Sequence, residues 1–167
     1  MDQAINLNGA SVLVTRPQHQ ADSLCELVHV HGGIPIRCPT ISIEKPTDET
    51  TAKQNISNIE NADIVIFLST NAVEYGINLL RRCGQTLRPK AQIFAIGPGT
   101  ASKLKEFGIK VSAVATPPYK SENLLEIPEL TAPIRKSIYI FSGALIPNIE
   151  SPVESIILVP RINPNLA

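Results

Sequence analysis

The chain has 167 residues, 43% of them hydrophobic, enough to bury a real core and typical of a globular rather than a disordered protein. Fifteen basic residues balance fifteen acidic ones, and no Lys/Arg-rich run or basic amphipathic stripe stands out. No apolar stretch approaches the roughly 18 residues of a membrane span, so neither nucleic acid nor a membrane is an expected partner, and any anionic ligand must be held by local groups.

The start, Met1 to Asn8, has neither a basic n-region nor a long apolar h-region, which makes the cytoplasm the expected location. Ser11 to Thr15 reads as a buried strand. Gln18 to His31 carries apolar residues at Ala21, Leu24, Leu27 and Val28, a helical spacing, and Gly32-Gly33 ends that helix because glycine takes a left-handed C-cap at little cost. Ile34 to Ile36 resumes an extended run that continues through Thr40 to Glu44, completing a β-α-β unit. The cysteines, Cys25, Cys38 and Cys83, are odd in number and widely spaced, which predicts free thiols, with Cys25 in the helical core. His29 and His31 are two apart and cannot converge on one ion from a helix, so with His19 they make no expected metal site. Pro46 and the polar stretch Thr47 to Asn55 then interrupt the pattern, placing a domain crossover near Pro46 and a short helix around Thr51 to Ile59.

From Asp63 strand and helix alternate: strand Ile64 to Leu68, helix Ala72 to Arg82, strand Gln92 to Ile96, helix Thr100 to Phe107, strand Lys110 to Ala115. Short links of this kind predict parallel pairing with right-handed crossovers. Two strand-to-helix joints, Phe67-Leu-Ser-Thr-Asn-Ala-Val73 and Ala95-Ile-Gly-Pro-Gly-Thr-Ala101, then fall where open α/β sheets bind ligands. Ser69, Thr70 and Thr100 offer hydroxyls beside the free N–H groups of a helix N-terminus, an arrangement suited to carboxylate or phosphate. A dinucleotide is disfavoured, because Gly97-Pro-Gly-Thr100 lacks the third glycine of GxGxxG and Pro98 removes a backbone donor. Ser121 to Leu125 reads as a capped helix start and Ser137 to Phe141 as a further strand. Eight of the fourteen prolines lie beyond residue 116, leaving no room for an ordinary helix after Phe141, although Ser155 to Val159 retains strand character.

Five segments occur in one order: Val12-Leu-Val-Thr-Arg-Pro17, Phe67 to Val73, Ala95 to Ala101, Ser121-Glu-Asn-Leu-Leu125 and Tyr139-Ile-Phe-Ser-Gly143. In that order and spacing the chain resembles the uroporphyrinogen-III synthase family over about Ala10 to Gly143. The resemblance implies an α/β fold: a flavodoxin-like three-layer lobe with a parallel sheet, covering residues 46–160, plus an N-terminal β-α-β piece of a second lobe, residues 1–45, and a tail, residues 161–167. It implies a cofactor-independent, cyclising lyase of tetrapyrrole and haem biosynthesis. Such an enzyme closes hydroxymethylbilane to uroporphyrinogen III with loss of water and inversion of ring D, holding its substrate between two lobes.

For individual residues the resemblance marks Thr100 as catalytic, and Arg16, Ser69, Thr70, Asn71, Gly97 and Ser121 as substrate-binding. Each has a plainer reading beside it. Thr100, Ser69 and Ser121 suit helix N-caps, and Arg16 at a strand end suits simple solvation. Tyr119 suits either the cover of a ligand ring or packing on Pro117 and Pro118. No His/Asp, Ser/His or paired-carboxylate constellation stands out, which fits a reaction governed by orientation more than by proton transfer. The chain departs from the family at Ala144 to Glu150, where closely spaced prolines replace an expected helix, and the last third or more of the family has no counterpart. The expectations that follow are a weak or inactive isolated chain and self-association through an exposed apolar face of the N-terminal unit. A non-catalytic remnant of the enzyme and a small-anion-binding flavodoxin- or Rossmann-like module are the competing readings.

Overall fold

The computed structural model describes residues 6–40, 42–44, 49–131, 136–143, 153–158 and 161–163. The chain divides into two compact units, Met1–Glu44 with Ile162–Ala167, and Lys45–Arg161. The crossover expected at Pro46 and the departure expected at Ala144 to Glu150 lie outside the described residues.

In the first unit, β1 (Ser11–Val14) is followed by a 3-10 turn at Gln18–Gln20, then α1 (Asp22–Val30) and β2 (Ile34–Arg37). The strands pair in parallel with Leu13 beside Ile36. The long extended run expected from Ile34 to Glu44 is broken, and β3 (Ser42–Glu44) leaves the first ladder. Helix α1 ends where Gly32 takes φ +72, a conformation a side chain would resist. It packs Ala21 and Cys25 onto Val14, and Cys25 is a buried free thiol. Beside them, Leu13, Ile34 and Ile36 are 59%, 54% and 48% exposed.

The second unit carries α2 (Glu49–Asn55), β4 (Ile64–Phe67), α3 (Thr70–Arg82), β5 (Gln92–Ala95), α4 (Pro98–Glu106), β6 (Ala113–Val114), α5 (Ser121–Leu124), α6 (Pro128–Thr131), β7 (Ile138–Ser142) and β8 (Val153–Leu158). The five strands form one sheet in the order β6-β5-β4-β7-β8, and every pair is parallel. A final strand, β9 (Arg161–Asn163), pairs with β3.

Alternation along the strands builds the three layers. Val65, Phe67, Ile93, Ala95, Tyr139 and Phe141 turn to one face, where α2, α3 and α4 contribute Ala52, Val73, Leu79 and Leu104 among others. Ile64, Ile66, Phe94, Ile138 and Ile140 turn to the other, covered by Leu124 of α5 and Ile127. Strands buried on both faces read as continuous apolar runs, as Ile64–Phe67 does. The rings of Phe67 and Phe141 stack across β4 and β7 at 4.7 Å between centroids and 8° between planes.

Differences from the sequence reading have local causes. The strand expected over Lys110 to Ala115 shrinks to two residues because it is an edge strand paired only to β5. Helix α2 stops at Asn55, and Ile59–Asn61 forms a separate 3-10 turn. Helices α3 and α4 each begin two residues earlier than expected, with consequences for the site.

Candidate functional site

Strand β4 lies between β5 and β7, so the chain winds outward from it in one direction and then returns to its other side. The crevice outside the carboxyl ends at such a reversal is the usual ligand site of open α/β sheets. Two backbone bonds tie the three strand ends together: the N–H of Leu68 donates to the Phe141 carbonyl at 3.1 Å, and that of Ile96 to the Phe67 carbonyl at 3.1 Å.

Ser69 is the N-cap of α3, and its Oγ accepts the N–H of Ala72 at 3.0 Å. The hydroxyl proton of Ser69 is left to donate elsewhere. Thr70 and Asn71 follow as the first two helical residues, where backbone N–H groups have no partner within the helix. Helix α4 is capped by Gly97, whose carbonyl accepts the N–H of Ala101 at 3.0 Å. Pro98 occupies the first helical position, which its fixed φ suits and where no N–H is needed. That choice corrects the reading of Thr100 as an N-cap: the helix starts earlier, and Thr100 sits at its third position, only 5% exposed. The two N-termini adjoin each other, since a Cβ placed on Gly99 would lie 3.9 Å from Thr70 Cγ2.

Ser121 is likewise not a cap. It is the exposed first residue of α5, and Lys120 holds the cap position. The N–H of Lys120 donates to Asn123 Oδ1 at 3.1 Å, and the N–H of Asn123 donates to the Lys120 carbonyl at 3.0 Å. Helix α5 packs Leu124 on the sheet face opposite α3 and α4, so Ser121 is not brought onto the face that carries Ser69 and Thr100. Arg16 belongs to the first unit, exposed in the bend after β1.

One residue at this edge was not singled out by the sequence, and a second was left open between covering a ligand ring and packing on the neighbouring prolines. Ser142, buried at the end of β7, adjoins the Leu68 turn. A serine closing an apolar strand is the signal that marked Ser69, and Tyr139-Ile-Phe-Ser142 repeats it. Tyr119 is the second, with the root of its ring against Gly97: a Cβ on that glycine would lie 3.5 Å from Tyr119 Cγ.

The edge is electrostatically modest. Lys103 on α4 bonds Glu106 at 3.0 Å and lies 3.9 Å from Glu74. The hydrogen bond to Glu106 is the main cause raising its ammonium above the ordinary lysine range. A carboxylate arriving at the N-termini of α3 and α4 would be met by hydroxyls, oriented N–H groups and helix dipoles. No group of three or more His, Cys, Asp or Glu side chains is gathered for a metal among the described residues. No helix among them is long and apolar enough to cross a membrane.

A parallel five-stranded sheet with helices on both faces, and two helix N-termini adjoining at its carboxyl edge, defines an open α/β protein. The family model HEM4, uroporphyrinogen-III synthase HemD, matches residues 22–149, and the chain belongs to that family. It is 31% identical over 113 residues to a relative from Methanothermobacter thermautotrophicus bearing the uroporphyrinogen-III synthase name, covering 68% of this chain and 44% of the relative. It is 28% identical over 105 residues to the porphyrin biosynthesis protein HemD of Ruminiclostridium josui, covering 62% and 21%. The chain thus spans less than half the length of these curated relatives. Crystal structures of Thermus thermophilus uroporphyrinogen III synthase share the fold. A mutant form superposes with TM-score 0.61 at 17% identity over 92% of this chain and 63% of its own. The wild type gives 0.56 at 18% over 92% and 62%. The resemblance carried by the five segments is borne out, as is the parallel three-layer lobe.

Proposed function

We propose that this chain works as a uroporphyrinogen-III synthase, in the cytoplasm, on the linear tetrapyrrole hydroxymethylbilane. The observation that carries the reading is the adjoining pair of N-termini, Ser69-Thr70-Asn71 and Gly97 to Thr100, at the carboxyl edge of a lobe of that family. Hydroxymethylbilane carries acetate and propionate side chains, and helix N-termini with flanking hydroxyls hold carboxylates without any formal charge.

The chemistry asks for position. Loss of hydroxide from the bilane leaves an electrophilic azafulvene, and spontaneous closure at the free carbon of the last ring gives isomer I. Attack from the substituted carbon forms a spiro centre; the bond from that carbon to its original methylene bridge breaks, the methylene closes instead on the free carbon of ring D, and loss of the proton there, with the hydroxide lost earlier, gives isomer III with net loss of water. A site that fixes the acidic side chains of the reacting rings favours the second path by orientation alone, an effect that can supply several kcal/mol. In this scheme Ser69, Thr70, Asn71 and Gly97 hold the substrate, and Thr100 lies nearest the reacting rings as the catalytic residue. Ser121 is a lesser contact.

The test supplies hydroxymethylbilane to the 167-residue chain and separates uroporphyrinogen isomers I and III. Isomer III in excess at catalytic protein concentrations supports the synthase and overturns the expectation of a weak or inactive isolated chain. Isomer I alone, at the rate seen without protein, overturns it in favour of a non-catalytic relative.

A further inference from the structure

Two non-glycine residues among those described have positive φ, Asn8 at 47° and Tyr119 at 63°. Asparagine visits that region readily, whereas for a bulky residue it costs free energy that the surroundings must supply. The surroundings of Tyr119 do so on both sides. Its own N–H donates to the Thr116 carbonyl at 2.9 Å, and the Thr116 hydroxyl donates to Glu126 Oε2 at 2.6 Å. Beyond it, Asn123 bonds both the Lys120 N–H and, through Nδ2 at 3.1 Å, Glu126 Oε1. The loop is thereby locked with an aromatic side chain where glycine would sit without cost. The root of the ring rests on Gly97, the cap of α4, and the residue is 42% exposed. It therefore projects from the carboxyl edge beside the N-terminus that holds Thr100.

We infer that Tyr119 is a substrate-contacting residue: its ring stacks on one pyrrole of the tetrapyrrole and fixes the ring whose acidic side chains lie on the N-terminus of α4. This rests on the proposed function and extends it from the carboxylates to the pyrroles. Pyrrole rings are flat π-systems, and stacking on an aromatic side chain holds such a ring at a defined height and tilt. Orientation of that kind is what separates closure to isomer III from closure to isomer I.

The test uses the full chain with uroporphyrinogen III, kept reduced, as the probe. Affinity is read by calorimetric titration and stability by thermal unfolding, for the wild type and for Tyr119→Phe, Tyr119→Leu and Tyr119→Gly. Tyr119→Phe is expected to bind within about twofold of wild type, while the leucine and glycine variants bind about tenfold more weakly. Tyr119→Gly should keep or raise the melting temperature, because glycine accepts positive φ freely. Wild-type binding with undiminished affinity in the leucine and glycine variants overturns the inference and leaves the synthase reading intact. A phenylalanine variant as weak as the leucine one, or a glycine variant that loses stability along with affinity, also overturns it. Failure of the wild type to bind at all overturns the site reading and this inference together.

Discussion

Gly76 illustrates how one residue fixes the approach of a helix to the sheet. It lies mid-way along α3, where glycine costs about 1 kcal/mol relative to alanine. A Cβ there would press into the Phe141 ring, including Cε1 at 2.7 Å, and that ring is stacked on Phe67. Overpacking of a rigid aromatic pair costs about 1–3 kcal/mol, which outweighs the gain in helix propensity. Gly76→Ala should therefore lower the unfolding free energy by about 1 kcal/mol in chemical denaturation. A more stable variant would show that α3 can move away from the sheet. Gly97 is a different case, since its φ of −166° suits any residue and its significance lies in the ring of Tyr119 above it.

At the scale of elements, α3 connects the site to a charged pair at its other end. Arg82, in its last turn, binds Glu49 of α2, and its guanidinium also lies 5.9 Å over the Tyr75 ring. Desolvation raises the Glu49 carboxyl, but the charges of Arg82 and Lys53 with the Arg82 hydrogen bond outweigh it, so its pKa lies below the ordinary 4.5. A carboxyl depressed in the folded state stabilises above its unfolded pKa and loses that contribution as the pH falls through the folded value. Glu49→Gln should accordingly be less stable than wild type near pH 6, with the difference shrinking below pH 4.5. Urea unfolding at several pH values measures this, and a gap that persists unchanged at pH 3 would assign the effect to packing. Much at this scale was legible in the sequence. The strands Ile64–Phe67 and Gln92–Ala95 are apolar because both faces are covered, and Ser69 and Gly97 mark the joints behind them. Helix starts were less legible: the Ser69 hydroxyl opens α3 and the fixed φ of Pro98 opens α4, which moved Thr100 from a cap to the third position. The approach of Tyr119 to Gly97 joins residues 22 apart in sequence through a loop, and no local periodicity encodes it.

At the scale of the molecule, the second unit carries the candidate site on its own elements, and the first contributes the β-α-β that opens the chain. The central claim is that the acidic side chains of a tetrapyrrole rest on the N-termini of α3 and α4. Amide NMR of the isotopically labelled chain, titrated with reduced uroporphyrinogen III, addresses it residue by residue. The N–H signals of Thr70, Asn71, Gly99 and Thr100 should shift together and saturate together, with those of Tyr119 and Lys120 following. Shifts confined to the opposite edge of the sheet, around Asp63, Gln92 and Ser137, or no saturable shift at all, would contradict the account.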